Sequence, residues 1–260
     1  ASGTVSMTGQ HNTGATYALS LSGSTSITAG TGVTLESLNN NTGTIALLSS
    51  GGINGGSGTV LMRAANYAFG GADRTITTTG VLTIEPDADE NSFASSFDNQ
   101  YLNPVSVTGL TLGKSSNASA ITLSRAISLS GPVSIYGGSI DVNANITANS
   151  GNILLDADTG STLNQSSTGI LLDDAITIET VTSGNLTLIG RSGDTGSGFD
   201  GIDASSANTT TLRSAGNLTL QGYSYAASGS GRGVDLNNDV IAASGTVSMT
   251  GQHNTGATYA

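Results

Sequence analysis

A glycine followed by two apolar residues one position apart recurs along the whole chain. The strings are Gly3-Thr-Val5-Ser-Met7, Gly43-Thr-Ile45-Ala-Leu47, Gly58-Thr-Val60-Leu-Met62 and Gly80-Val-Leu82-Thr-Ile84. They continue as Gly131-Pro-Val133-Ser-Ile135, Gly138-Ser-Ile140-Asp-Val142, Gly151-Asn-Ile153-Leu-Leu155, Gly184-Asn-Leu186-Thr-Leu188, Gly216-Asn-Leu218-Thr-Leu220 and Gly245-Thr-Val247-Ser-Met249. Alternation of this kind marks a half-buried strand, apolar residues inward and Thr, Ser or Asn outward. The glycine and its small neighbour mark the turn that feeds the strand. Several spacings fall between about 20 and 32 residues, which suits one turn of a solenoid with two or three short strands per coil.

A longer period encloses the short one. Residues 1–18, ASGTVSMTGQHNTGATYA, return unchanged at residues 243–260. A single globular core has no use for two such copies. A tandem array with a period of 242 residues is expected: residues 1–242 form one β-solenoid repeat and residues 243–260 the start of the next. The chain has neither an initiator Met nor an N-terminal hydrophobic segment, as expected of a window on a longer polypeptide.

Composition narrows the class. Charged residues are 10 % of the chain, against roughly 25 % in ordinary domains, and aromatic residues are 4 %. A narrow core of stacked Val, Ile, Leu and Ala layers has little room for rings. No stretch keeps apolar residues at helical spacing over three turns, and only 3 prolines are present, so collagen is excluded. No apolar run approaches the roughly 20 residues of a membrane-spanning helix, and the scattered Tyr and Phe do not form the girdles of an outer-membrane barrel. A net charge of -11 repels a phosphate backbone, which argues against nucleic-acid binding. The absence of Cys removes disulfides and thiolate chemistry.

The strings SGNLTL, AGNLTL, SGNILLDA and SGTVSM resemble the coils of filamentous-haemagglutinin-type exoproteins and other giant bacterial surface adhesins. That resemblance implies an all-β fold, a right-handed parallel β-helix (β-solenoid) with a few loop excursions. It also implies an extracellular, cell-surface fibre or adhesin shaft. The expected partners are adjacent repeats of the same chain, like chains laterally, and a surface ligand or polysaccharide.

Two stretches break the rhythm and are expected to leave the coil: Arg63 to Arg74, and Pro86 to Pro104. The second carries Asp87, Asp89, Asn91 and Asp98, which fall at positions 1, 3, 5 and 12 of an EF-hand-like calcium loop. Ser92 replaces the glycine of that loop, and Asp98 its final glutamate. Solvated loop acids are the simpler reading, so no cofactor is expected, with calcium as the alternative. A second string, Thr195-Gly-Ser-Gly198-Phe-Asp200-Gly-Ile202-Asp203, approximates the glycine-rich nonapeptide of calcium β-rolls. Only one copy is present, and a glycine-rich turn is the simpler reading. The string Gly229-Ser-Gly231-Arg-Gly233-Val-Asp235 reads as the equivalent turn one coil on, without an acid at the place of Asp200.

Catalysis needs converging carboxylates or a metal with a base. Asp156 with Asp158, and Asp173 with Asp174, read as strand-exit and turn acids, while His11 and His253 are one repeat position. A structural repeat without catalytic residues is therefore expected. A carbohydrate-active β-helix enzyme, a calcium-rigidified module and an ice-binding face built on Thr75-Ile-Thr77-Thr-Thr79 or Thr209-Thr-Thr211 remain as alternatives. Asn40, Asn117, Asn145, Asn185 and Asn217 begin Asn-x-Ser/Thr strings, mostly at strand starts.

Overall fold

A computed structural model describes residues 2–10, 17–38, 43–48, 51–70, 74–88, 90–104, 106–157, 167–173, 175–193, 197–204, 208–225 and 230–253. Every regular element among them is a strand, and every pairing is parallel. The chain winds through three faces in turn. The first three coils are β1 (Val5–Gln10), β2 (Leu19–Leu21), β3 (Ile27–Thr28); β4 (Val33–Leu38), β5 (Thr44–Leu47), β6 (Gly52–Asn54); and β7 (Val60–Arg63), β8 (Asn66–Phe69), β9 (Arg74–Thr77). The next three are β10 (Val81–Glu85), β11 (Phe97–Asp98), β12 (Leu102–Pro104); β13 (Gly109–Leu112), β14 (Ile121–Leu123), β15 (Ile127–Leu129); and β16 (Val133–Gly137), β17 (Ile140–Val142), β18 (Ile146–Ser150). Then follow β19 (Ile153–Ala157), β20 (Ile170–Leu172), β21 (Thr177–Ser183); β22 (Leu186–Arg191), β23 (Ile202–Ala204), β24 (Thr211–Ser214); and β25 (Leu218–Ser224), β26 (Val234–Leu236), β27 (Val240–Ala243), with β28 (Val247–His253) opening a tenth coil. The molecule is an all-β parallel solenoid, as the alternation requires.

The first face is one unbroken sheet of ten strands, β1-β4-β7-β10-β13-β16-β19-β22-β25-β28. Its register stacks like on like. One inward row runs Val5, Val33, Val60, Leu82, Leu110, Val133, Ile153, Leu186, Leu218, Val247. From Val33 to Leu218 each residue of this row is buried, while Val247, with no coil above it, is 39 % exposed. Eight of the ten glycine strings feed this face. The other two, at Gly43 and Gly138, feed β5 and β17 on the second face. The two faces share one apolar alternation, so the string alone does not distinguish them.

Glycine is required where coils touch. Gly184 has a φ of 114°, and a Cβ there would lie 1.9 Å from the carbonyl oxygen of Gly151 one coil below. The Asn that follows adds a ladder of its own. Asn185 N–H donates to Asn152 Oδ1, Asn217 N–H to Asn185 Oδ1, and Thr246 N–H to Asn217 Oδ1. Asn145 Oδ1 accepts from Thr177 N–H in the same way. These Asn side chains, those of the Asn-x-Thr strings at Asn145, Asn185 and Asn217 among them, thus serve coil-to-coil bonding of main-chain donors that the turns leave free.

The second and third faces are each interrupted once. The second divides into β2-β5-β8 and β11-β14-β17-β20-β23-β26, the third into β3-β6-β9-β12 and β15-β18-β21-β24-β27. The second-face break lies in the Pro86 to Pro104 segment, between β8 and β11, and the third-face break follows that segment, between β12 and β15; the segment is an excursion only in part, since it carries β11 and β12. The expectation of an excursion at Arg63 to Arg74 is corrected. Arg63 ends β7, residues 66–69 form β8 in register with β5, and Arg74 starts β9. The aromatic and charged residues of this stretch hid an ordinary inward–outward alternation.

Candidate functional site

The acids singled out in the sequence go to different places. Asp87 is buried, and its carbonyl oxygen accepts a bond of 3.0 Å from Lys114 Nζ. Asn91 is exposed, and its carbonyl accepts from Ser116 Oγ. Asp98 lies on β11, where Oδ1 accepts from Gln100 N–H and Oδ2 from Ser124 Oγ, so its carboxylate closes a turn and ties it to the next coil. Asp89 lies outside the described residues, as do His11, Asp158, Asp174 and Thr195.

Asp98 also begins an outward row on the second face. The register continues it through Thr122, Asp141, Leu171, Asp203 and Asp235. At the upper end Asp200 joins Asp203 and Asp235, with one carboxylate oxygen of each within 4.8 Å of the others. The two glycine-rich strings stack as the sequence suggests: Gly201 N–H donates to the Arg232 carbonyl, and Ile202 pairs with Val234. Arg232 occupies the place of Asp200 one coil on. Its main-chain N–H donates to the buried Asp200, and its guanidinium donates to Asp235. Burial raises the Asp200 pKa first, and the Asp203 and Asp235 charges raise it further, against Arg232. Three carboxylates can hold a hard cation, but a guanidinium already supplies positive charge among them.

The first face carries ion pairs. Arg63 bridges Glu36 and Glu85 across three coils. Arg191 donates to Asp156 at 2.9 Å and lies 5.8 Å over the Tyr223 ring. His253 Nδ1 sits 3.3 Å from Ser224 Oγ, but that hydroxyl donates to the Phe199 carbonyl at 2.8 Å. The pair lacks the proton arrangement of a serine nucleophile and its base. Arg74 is fully buried; its Nη atoms donate to the Leu21 and Thr25 carbonyls, and burial lowers its pKa.

The largest departure from the coil chemistry is a ring-lined cavity at the break between β8 and β11. Tyr67 and Phe69 occupy the inward rows that carry Ile45 and Leu47 one coil below. Ile45 and Leu47 are fully buried, whereas Tyr67 and Phe69 are half-buried, because no strand is paired above β8. Phe93 and Phe97, stacked at 5.4 Å and both buried, form the base. The Phe97 ring meets Tyr67 edge-on at 5.6 Å, and Tyr101 leans on Phe69 at 6.2 Å. Three of the chain's 4 Phe converge here. The cavity measures about 170 Å³ and also touches Asn66, Ser95, Ser96, Asp98 and Gln100. The sequence showed these rings only as an odd cluster in an excursion; the missing signal was that Tyr67 and Phe69 keep the alternation of a strand.

No protein-family model, no curated protein and no solved structure matches this chain.

Proposed function

We propose that this chain is a structural repeat of a giant extracellular fibre or adhesin shaft, whose work is length and stiffness at a cell surface. One observation carries the reading. β1 and β28 have the same sequence and stand at opposite ends of one ten-stranded sheet. β28 lies in parallel register on β25 over seven residue pairs, Gly222 on Gly251 among them. A following copy of β4 would cover Val247 and Met249 as Val33 and Leu35 cover Val5 and Met7. Successive periods then share one core without an interface, and the partners of each repeat are its neighbours in the chain. The likeness of the SGNLTL-type strings to filamentous-haemagglutinin coils supports the same assignment.

Nine steps separate β1 from β28, so at about 4.8 Å per step each period adds roughly 43 Å. Small-angle scattering of chains of one and two periods tests the proposal. The expected result is a rod whose length grows by that amount at constant cross-section. Two separately tumbling bodies, or growth in cross-section, would refute it.

A further inference from the structure

Beyond its role as a shaft, we infer that the cavity between β8 and β11 is a lateral binding site for one neutral sugar ring. The inference rests on the coil geometry and not on the tandem array. An inward row of rings left uncovered costs free energy, and the rest of the solenoid avoids it by stacking aliphatic residues. Here the cost is concentrated at a concave place with room for one six-membered ring, not for a helix or an extended peptide.

The lining selects the occupant. The faces and edges of Tyr67, Phe69 and Tyr101 offer a surface for the C–H face of a pyranose, packed as rings pack on one another. The rim offers hydroxyl partners. Ser95 Oγ donates to Asn66 Oδ1 at 3.0 Å, which orients the Asn66 amide with its NH2 group as the remaining donor. Gln100 is exposed and adds a second amide. The Asp98 oxygens each accept one bond from the protein, and a carboxylate oxygen has capacity for another, so they can take sugar hydroxyl protons. A purely apolar ligand would cover these polar groups without satisfying them. No cation lines the cavity, Asp98 opens the acidic outward row, and the chain carries a net charge of -11, so acidic sugars are repelled.

The test is ligand-observed NMR on the 260-residue chain with methyl glucoside, galactoside, mannoside and N-acetylglucosaminide, each against methyl glucuronide, whose carboxylate is free, and N-acetylphenylalanine amide. At least one neutral glycoside should receive saturation from the protein, on one ring face, and bind more tightly than the glucuronide. Tyr101→Ala and, separately, Gln100→Ala should weaken it by about tenfold while the melting temperature of Gln100→Ala stays that of the parent. Gln100 is exposed and outside the core, so its variant reads binding even if Tyr101→Ala loosens the coil. The inference is overturned if none of the four glycosides binds, if Gln100→Ala binds as the parent does, or if the phenylalanine amide outcompetes every glycoside. Failure here leaves the rod and its length per period untouched.

Discussion

Neighbouring residues of one strand live in opposite environments. Leu218 is fully buried between Leu186 and Val247, whereas Thr219 faces outward between Thr187 and Ser248. Leu218→Asp places an unpaired charge in the inward row and should cost at least about 3 kcal/mol. Thr219→Asp should lie within about 0.5 kcal/mol of the parent, since surface changes seldom exceed that. Urea unfolding of the two variants checks the pair, and equal losses would show the inward row misassigned. Asp200 supports a prediction of sign. Its carboxyl titrates above the ordinary value of 3.8 because burial and its acidic neighbours favour the protonated form. A carboxyl raised in the folded chain contributes stability below its unfolded pKa and loses it as pH rises through the folded value. Asp200→Asn keeps an oxygen for the Arg232 N–H and removes the charge. The variant should melt near the parent at about pH 3.5 and above it at about pH 7. A variant that melts below the parent at neutral pH would show that the Asp200 charge is instead held by the guanidinium.

Elements are defined here by what lies one coil away. The first face holds because every strand finds a partner of like alternation above and below, and the Asn152–Asn185–Asn217 ladder fixes the turns that feed it. The other two faces are spliced at the third to fifth coils, where rings and the Asn99 side chain, bonded to the Arg125 main chain, replace strand pairing. Gly3 and Gly245 show how stacking sets the demand on a residue. They hold the same place in the two copies of the 18-residue string, yet a Cβ at Gly3 meets nothing within 4 Å, and one at Gly245 would lie 2.4 Å from Asn217 Oδ1. Gly3→Ala should therefore be silent in this chain. Gly245→Ala should displace the Asn217 side chain from Thr246 N–H at a cost of about 1 kcal/mol, read as a drop of roughly 2–4 °C in melting temperature. Equal effects at the two positions would mean that β28 does not rest on β25.

For the whole molecule, the forces that hold the rod act along its axis at every coil. Backbone ladders and apolar rows need no ion, and the one group of three carboxylates found among the described residues is already threaded by Arg232. Chelation should leave both the β-sheet circular dichroism and the melting temperature unchanged. A cation bound only by the folded chain would stabilise it by several kcal/mol at saturation, so a large fall on chelation would assign a structural ion to Asp200, Asp203 and Asp235 or to the Asp87 to Asp98 segment. Met249 on β28 is 53 % exposed, whereas Leu220, its partner on β25, is fully buried. On the proposed tandem array a following coil would bury it.

The sequence by itself determined the class of fold, because alternation with period two and a glycine before each run leave a stack of parallel strands as the consistent solution. It also determined which side of eight of the ten first-face strands is core, Val60 and Met62 or Leu218 and Leu220 among them. It did not determine which face a string builds, since Gly43-Thr-Ile45 and Gly58-Thr-Val60 read alike and lie on different faces. Nor did it reveal the short third-face strands, whose two to seven residues carry too little periodicity to read. The calcium reading of Asp87 to Asp98 follows spacing along the chain, whereas the paired neighbours of a solenoid residue lie 19 to 34 residues away. Only the tertiary structure decided that Asp98 heads an acidic row with Asp141, Asp203 and Asp235, that Arg232 enters that row, and that Tyr67 and Phe69 meet Phe93 and Phe97 at a break in the second face. The physical reason is the same in each case: chemistry in a coil stack is assembled across coils, and coil length is set by turns whose lengths the local pattern does not encode.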